Sequence, residues 1–491
     1  MGFSDVGCYG GEIHTPNIDR LASHGIRFTQ FYNTARCWPT RSCLLSGYYP
    51  QAIRMDPPHG HLPQWTRLLP HYLKPAGYRC YHSGKWHVNG APKACADGGF
   101  DHSYLIEDHN RYFTPKNHTE DDRPLPSVKP GTNFYLTTFI ADHAIKYLQE
   151  HAREHANEPF FEYLAFTSPH FPLQAPAEDI ARYRDFYLKG WDAVRDERWQ
   201  RLRKMGIVNC NLAALDPSLT PRYFKEKVME QLGPGEINHA VAWSSLTDEQ
   251  KKFQASKMAI HAAMVDRMDR EIGRVLDQLR AMNGLDNTVI FFLSDNGADA
   301  TLLVRGDGND RAAEPGSAES FLCIGPGWAS ASNTPFRRHK VWVNEGGIST
   351  PLIVHWPDGI EARGDLRRDM GHVSDLVPTI LELTGAKFTD QWNNVSVPPL
   401  PGKSLVPDFR RDGQVKHDFL FFHHEGNRAL RVGDWKLVSA SEDHDRWELF
   451  DLSKDRCEAV DLAQKLPERV NKMETQWKKL EANYQKLAES R

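Results

Sequence analysis

Short, β-rich apolar runs alternate with amphipathic helical stretches through most of this chain. That alternation restricts it to an α/β fold whose central sheet is covered by helices on both faces. The runs span residues 26–32, 78–82, 159–166, 288–293 and 351–355. Between them, Thr15-Pro16 reads as an N-cap followed by a proline at the first helical position, with Ile18, Leu21 and Ala22 on one face. A second stripe comprises Ile140, Ala144, Tyr147 and Leu148. A third places Val265, Met268, Ile272, Leu276 and Leu279 at three- and four-residue steps. Four of the runs lead directly into chemically loaded segments: Cys37, Gly84-Lys85-Trp86-His87, Ser168-Pro169-His170 and Ser294-Asp295-Asn296-Gly297. Sites in open α/β sheets form at the carboxyl ends of strands, so these four segments are expected to meet in one pocket.

The main α/β unit is read as residues 1–405, with a helical excursion over about 182–248 that is rich in Arg, Trp and Tyr and reads as a lid or pocket wall. Residues 406–491 form a C-terminal α+β unit, in which short apolar runs build a small antiparallel sheet before a charged helix from about Pro467. Pro398-Pro399-Leu400-Pro401-Gly402 is the expected linker. With 60 basic and 64 acidic residues and a net charge of −4, the chain lacks the basic face that nucleic-acid binding needs. No run has the roughly 18 apolar residues of a membrane span. The eight cysteines show no C-x-x-C pair, so neither a zinc site nor a disulfide framework is signalled.

Several residues have the right chemistry for a reaction centre, each beside a plainer alternative. Cys37, with Pro39 two residues on, puts a thiol at the start of a helix, where the dipole favours anions; the alternative is a buried cysteine in a turn. Lys85 offers a point charge and His87 a group able to take a proton near neutrality, or both lie in an exposed loop. His170 is a donor to an anion or a satisfied core histidine. Asp295 and Asn296 are hard oxygen donors suited to calcium or magnesium, or they form an Asn-Gly turn. Lys340, in Arg337-Arg338-His339-Lys340, belongs either to an anion site or to a solvated basic loop.

Taken together, Cys37-Trp38-Pro39-Thr40-Arg41 with Leu44-Leu45-Ser46-Gly47, Gly84-Lys85-Trp86-His87, Ser168-Pro169-His170, Ser294-Asp295-Asn296-Gly297 and Lys340 five residues before Glu345-Gly346-Gly347 resemble the type I sulfatases, the formylglycine-dependent, arylsulfatase-like members of the alkaline phosphatase superfamily. The resemblance implies a large mixed sheet sandwiched by helices, with a small C-terminal antiparallel sheet plus helix. It implies a sulfuric ester hydrolase in which a maturation enzyme converts Cys37 to formylglycine, whose hydrated aldehyde attacks sulfur. Arg41, Lys85 and Lys340 would then neutralise sulfate oxygens, His170 or Lys340 would protonate the departing alcohol, and His87 would take the proton that releases sulfate. Asp295, Asn296 and modified Cys37 would hold calcium, or magnesium. The substrate would be a sulfated carbohydrate or an aryl sulfate. Two alternatives are a phosphomonoester or phosphodiester hydrolase on the same fold and an inactive, sulfatase-like binding protein.

One departure bears on activity. The family carries Asp-Asp directly before a segment such as Met1-Gly2-Phe3-Ser4-Asp5, and that pair, with the strand leading to it, is not in the sequence. Calcium takes six to eight oxygens, so the resemblance implies weak metal binding and little activity for the chain as written, and a sheet unpaired in its middle. Met1 is accordingly read as an internal methionine of a longer gene. The protein is expected to be periplasmic or secreted if that gene carries a signal peptide, which residues 1–9 do not show.

Overall fold

The computed structural model describes residues 1–443 and 446–490. Its main unit is built on β1 (Ile26–Tyr32), β2 (Arg79–Lys85), β3 (His102–Ile106), β4 (His118–Glu120), β5 (Arg123–Pro124), β6 (Phe160–Ala165), β7 (Ile290–Leu293), β8 (Ser349–His355) and β9 (Asp365–His372). These strands form two mixed sheets, of order β7-β8-β1-β9 and β5-β4-β3-β2-β6. β1 is parallel to β9 and antiparallel to β8, and β2 is parallel to both β3 and β6. β6 and β7 are edge strands of the two sheets, and their side chains are mostly half-exposed. Phe160 and Leu164 of one edge and Ile290 and Phe292 of the other nevertheless pack against the same core cluster.

All five expected runs are strands, the first with the expected ends and the other four with altered ones. β2 continues three residues past the expected stop at His82 because Gly84 permits it. Gly84 has φ 120°, and a Cβ there would lie 2.1 Å from the Ala165 carbonyl oxygen, so only glycine lets β2 run on between β3 and β6. Thr15 occupies the N-cap position of helix Pro16–Ser23 without a side-chain cap. Its hydroxyl instead accepts from the Gly7 N–H at 2.9 Å. The long helix Asp248–Ala281 begins with a capping box, Gln250 N–H donating to Thr247 Oγ1 at 3.2 Å and Thr247 N–H to Gln250 Oε1 at 3.0 Å. Its buried stripe includes Val265, Met268, Leu276 and Leu279 and packs beside helix Leu136–Glu154.

Part of the excursion is core. Helix Gly190–Lys204 buries Trp191, Val194 and Leu202, and Trp191, Trp243 and Trp328 meet edge-on at 4.6 to 5.7 Å. On the same helix, fully buried Arg198 forms a fork with Glu12 at 2.7 Å and a third bond to Asp5 at 2.8 Å. After the hairpin β10 (Gln391–Trp392) and β11 (Val395–Ser396), Phe409 of helix Val406–Arg410 packs with Phe28 and Phe31 of β1. The C-terminal sheet is antiparallel, in order β12 (Leu420–His424), β13 (Asn427–Val432), β14 (Trp435–Ser439), β15 (Glu448–Asp451). Helix Pro467–Glu489 lays Met473, Trp477 and Tyr484 against its apolar face.

Replacing Arg198 by Met removes the guanidinium that joins two buried carboxylates, leaving Glu12 with Arg201 and Tyr187 and Asp5 with His261. The expected loss of unfolding free energy is about 3–5 kcal/mol, measured by urea denaturation. A change under about 0.5 kcal/mol, the level of an ordinary surface substitution, would show that the cluster does not hold the excursion in place.

Candidate active site

From the end of β1 the chain turns through Ala35, at φ 64°, and extended Arg36 into helix Cys37–Ser46. Cys37 is the first residue of that helix and only 4% exposed. The orphan N–H groups of the first turn favour negative charge there. Arg41, one turn on, is buried and links the two sheets. Its Nε donates to Asp295 Oδ2 at 2.9 Å beyond β7, and one terminal nitrogen donates to the Lys85 carbonyl at 2.8 Å and to the Tyr163 hydroxyl of β6 at 3.2 Å.

Lys85 ends β2 and is 3% exposed. Burial pulls its pKa down to about 8. His87 follows at φ 55°, its ring 5.8 Å from that of Trp38, with Nδ1 buried and unpartnered. Burial first, then Lys85 and Arg41, lower the His87 pKa to about 2, so its imidazole is neutral. His170 is also held neutral, well below its ordinary pKa, by burial and then by Lys85 and Lys340. Its Nδ1 lies 2.7 Å from the Phe171 carbonyl. A carbonyl only accepts, so Nδ1 carries the hydrogen and Nε2 is left bare. His109 stands between these rings, 5.8 Å from His87 and 5.1 Å from His170.

Lys340 Nζ is 3.0 Å from Asp299. Burial opposes its charge, but Asp299 and Cys37 outweigh burial and raise its pKa. Asp299 in turn is lowered to about 2, with Lys340 overcoming its own burial. The loop carrying Lys340 is tied to the segment after β7: Lys340 N–H donates to the Ala298 carbonyl at 3.0 Å and Gly297 N–H to the Gly347 carbonyl at 2.9 Å. A Cβ on Gly297 would sit 1.9 Å from the Gly346 carbonyl oxygen, so the crossing requires glycine. Asp295 is held ionised below its ordinary range, Arg41, Lys85 and Lys340 overcoming burial. Asn296 donates to the Gly297 carbonyl at 2.9 Å, while its Oδ1 is buried without a partner.

A cavity of about 150 Å³ brings together Cys37, His87, His170 and Lys340. Arg41, Lys85, Asp295 and Asn296 do not line it; Lys85, Asp295 and Arg41, with Lys340, set the charge environment of Cys37. Burial alone would push the Cys37 thiol up; Lys85 and Lys340 outweigh it, and its pKa falls below the ordinary thiol value. The arrangement can bind an anion through three cations and move protons through neutral imidazoles.

The cavity is also lined by Arg36, His109, Tyr223, Asp299 and Arg305, none of which stood out in the sequence. His109 follows β3 as the other motifs follow their strands, and that position was the available signal. Tyr223 is the part of the excursion that reaches the site, bonding Glu425 and Arg36. His423 and His424, at the end of β12, do not line the cavity. His424 is buried against Asp56 at 2.8 Å and under Trp38, and His423 pairs with Glu481 at 3.2 Å.

A hard cation fits the donor chemistry in kind but not in number. Asp295 and the unpartnered Asn296 Oδ1 offer two oxygens where calcium takes six to eight, and no group of three or more His, Cys, Asp or Glu that could hold a metal occurs among the described residues.

The family model for sulfatases matches residues 1–386, and that for the C-terminal region of N-sulphoglucosamine sulphohydrolase matches residues 337–486. The chain is 33% identical to an uncharacterised sulfatase of Schizosaccharomyces pombe, over 98% of this chain and 92% of that protein. It is 30% identical to an arylsulfatase of Klebsiella aerogenes over 82% and 89% of the two chains. Among solved structures, one crystallised with its substrate D-glucosamine-2-N,6-O-disulfate aligns with TM-score 0.64 at 20% identity, covering 100% of this chain and 97% of that one. The chain belongs to the sulfatase family and is an enzyme that hydrolyses sulfate esters.

With Cys37 as the thiol, its alkylation by iodoacetamide is expected to rise with pH about a midpoint below the usual 8.5 or so. Lys85→Met is expected to move that midpoint upward, followed by mass spectrometry of the Cys37 peptide. An unmoved midpoint would remove Lys85 as the cause.

Proposed function

We propose that the protein cleaves sulfate from a sulfated carbohydrate or an aryl sulfate, with Cys37, Arg41, Lys85, His87, His170 and Lys340 as its reacting and binding groups. The observation that carries this reading is the cavity in which one cysteine, a lysine and two neutral histidines meet, backed by two further buried cations. The named activities of two relatives, the Klebsiella aerogenes arylsulfatase and a Bacteroides thetaiotaomicron N-acetylglucosamine-6-O-sulfatase that is 25% identical, support the substrate class. Conversion of Cys37 to formylglycine by a maturation enzyme would supply an oxygen nucleophile, as an aldehyde hydrate, at the start of the helix. Calcium, or magnesium, would be held by Asp295 and Asn296 beside modified Cys37 and would add positive charge; no step below depends on it. Export to the periplasm or medium is part of the same proposal and suits a sulfated glycan substrate.

Each residue's part follows from its setting. Lys340, kept charged by Asp299, and Lys85 and Arg41 hold the nonbridging sulfate oxygens by charge. Transition-state charge on those oxygens is what such preorganised groups stabilise best. His87, neutral and unpartnered at Nδ1, takes a proton from the nucleophile side. His170 needs an anion before it can donate. Its Nε2 is bare in the free enzyme, and burial first, then Lys85 and Lys340, hold it neutral. A sulfate between them offsets that repulsion, raises the His170 pKa and lets Nε2 pick up the proton it passes to the ester oxygen. Lys340 is the second donor within the cavity.

The defining test compares turnover of an aryl sulfate and an aryl phosphate by the enzyme matured at Cys37 and supplied with calcium. Sulfate turnover is expected to dominate and to fall at least about a hundredfold in Cys37→Ala and Lys340→Ala, the scale of losing a nucleophile or a charge-stabilising group. Phosphate turnover without sulfate turnover would sink the proposal.

A second expectation concerns protons. His170 has its pKa raised on anion binding, so binding takes up a proton, and sulfate affinity measured by calorimetry should strengthen as pH falls towards the free-enzyme pKa. In His170→Gln that dependence should flatten. An unchanged slope would assign the proton to another group.

A further inference from the structure

Two cysteines outside the reaction site meet in the interior. Cys210 lies in the stretch after helix Gly190–Lys204, and Cys457 in the turn after β15. They are 247 residues apart in sequence, yet their sulfurs are 2.8 Å apart. Non-bonded heavy atoms settle at about 3.5–4.0 Å and a disulfide bond is about 2.05 Å, so these sulfurs are already pressed inside contact distance. Both residues are nearly inaccessible, at 2% and 1% exposure.

The backbone on either side is held in place. The Cys210 carbonyl accepts from Trp199 Nε1 at 2.9 Å, and Ala213 N–H donates to the Pro335 carbonyl at 3.0 Å. Flanking Cys457, Arg456 donates to Glu345 at 3.0 Å, and Glu458 accepts from Asn344 at 3.0 Å and from the Glu345 N–H at 3.1 Å. Bond formation therefore needs only a small movement of the two side chains. The Cys457 thiol points its hydrogen at Cys210 or at the Asn211 carbonyl, 2.6 Å away. Contact with Cys457, and then Arg456 acting against burial, lower the Cys210 pKa, which makes Cys210 the better nucleophile of the pair.

We infer that Cys210 and Cys457 are a redox modification site that closes to a disulfide, joining the excursion to the C-terminal unit. The oxidant is a disulfide, either of a thiol–disulfide oxidoreductase or oxidised glutathione. The Cys210 thiolate attacks one of its sulfurs, expelling the other as a thiolate and forming a mixed disulfide; Cys457, losing its proton, then displaces the first sulfur. In sum, two thiols of the protein become one disulfide, and one disulfide of the oxidant becomes two thiols, taking up both electrons and both protons. Because the pair is buried, this exchange takes place during folding or when the excursion opens.

The bond acts on the site at a distance. From Cys210 the chain runs on to Tyr223, which lines the cavity and bonds Glu425 of the C-terminal unit. Oxidation would fix that wall of the pocket, independently of the chemistry at Cys37.

The test is peptide mapping of the unaltered protein after exposure to oxidised glutathione, alkylation in denaturant without reductant, and digestion. A Cys210–Cys457 linked peptide is expected. Alkylation of both residues, or linkage of either to another cysteine, would overturn the inference. The second readout is the thermal midpoint of the oxidised protein with and without dithiothreitol, expected to differ by about 5 °C for closure of so long a loop. Cys457→Ser should abolish the difference, and a reductant effect that persists in that variant would also count against the bond.

Discussion

Everything at the centre of this enzyme depends on holding Arg41, Lys85 and Lys340 out of water around one cysteine. Each is at most 7% exposed, and like charges at such spacing repel strongly where the dielectric is low. Two carboxylates make the arrangement tolerable. Asp295 pairs with Arg41, and Asp299 pairs with Lys340. Lys85 has no carboxylate at bonding distance among the described residues and yields instead, its pKa drawn down to about 8 by burial. The result is a pocket that is cationic before any ligand enters and in which nearby histidines are forced neutral. In the proposed mechanism an anion relieves that repulsion on arrival, so that binding and proton donation belong to the same event.

The C-terminal unit keeps the Lys340 loop in place. Glu345, fully buried, bonds Lys436 at 2.9 Å and Arg456 at 3.0 Å, with the hydroxyls of Tyr32 and Ser349 each donating to it at 3.0 Å. Glu458 accepts from Asn344 and from the Glu345 backbone and pairs with Lys436 at 2.8 Å. Strands β1, β8 and β14 and the turn after β15 are thus locked to the segment that delivers Lys340. Breaking any one member would leave a buried charge uncompensated, the costly case for such networks. The unit that looks like an appendage is therefore a structural part of the site.

Chemical identity and approximate place of the candidate groups were legible along the chain, because each sits where a strand ends and a strand announces itself by its apolar run. Cys37 follows β1, His170 follows β6, and Asp295 follows β7 as expected. Two features were less accessible to that reading. The stop assigned to β2 fell short because Ser83-Gly84-Lys85 is polar and flexible by composition, whereas the close passage of Ala165 turns the glycine into a requirement of the strand. The excursion was expected to be a lid or pocket wall; its Tyr223 lines the cavity, but that another part of it enters the core was not legible. In the fold Trp191 and Arg198 are buried, their polar groups satisfied by Val241 and by Glu12 and Asp5.

The sequence by itself determined the alternation of strands and helices, the motif set and, through it, membership in the sulfatase family, because these reside in local periodicity and short spacings. Tertiary structure alone decided which cations line the cavity and which do not, that His109, Asp299 and Tyr223 join it, and that Cys210 meets Cys457. Those facts depend on contacts between segments up to hundreds of residues apart, and no local pattern encodes which distant charge or sulfur will arrive at a given side chain.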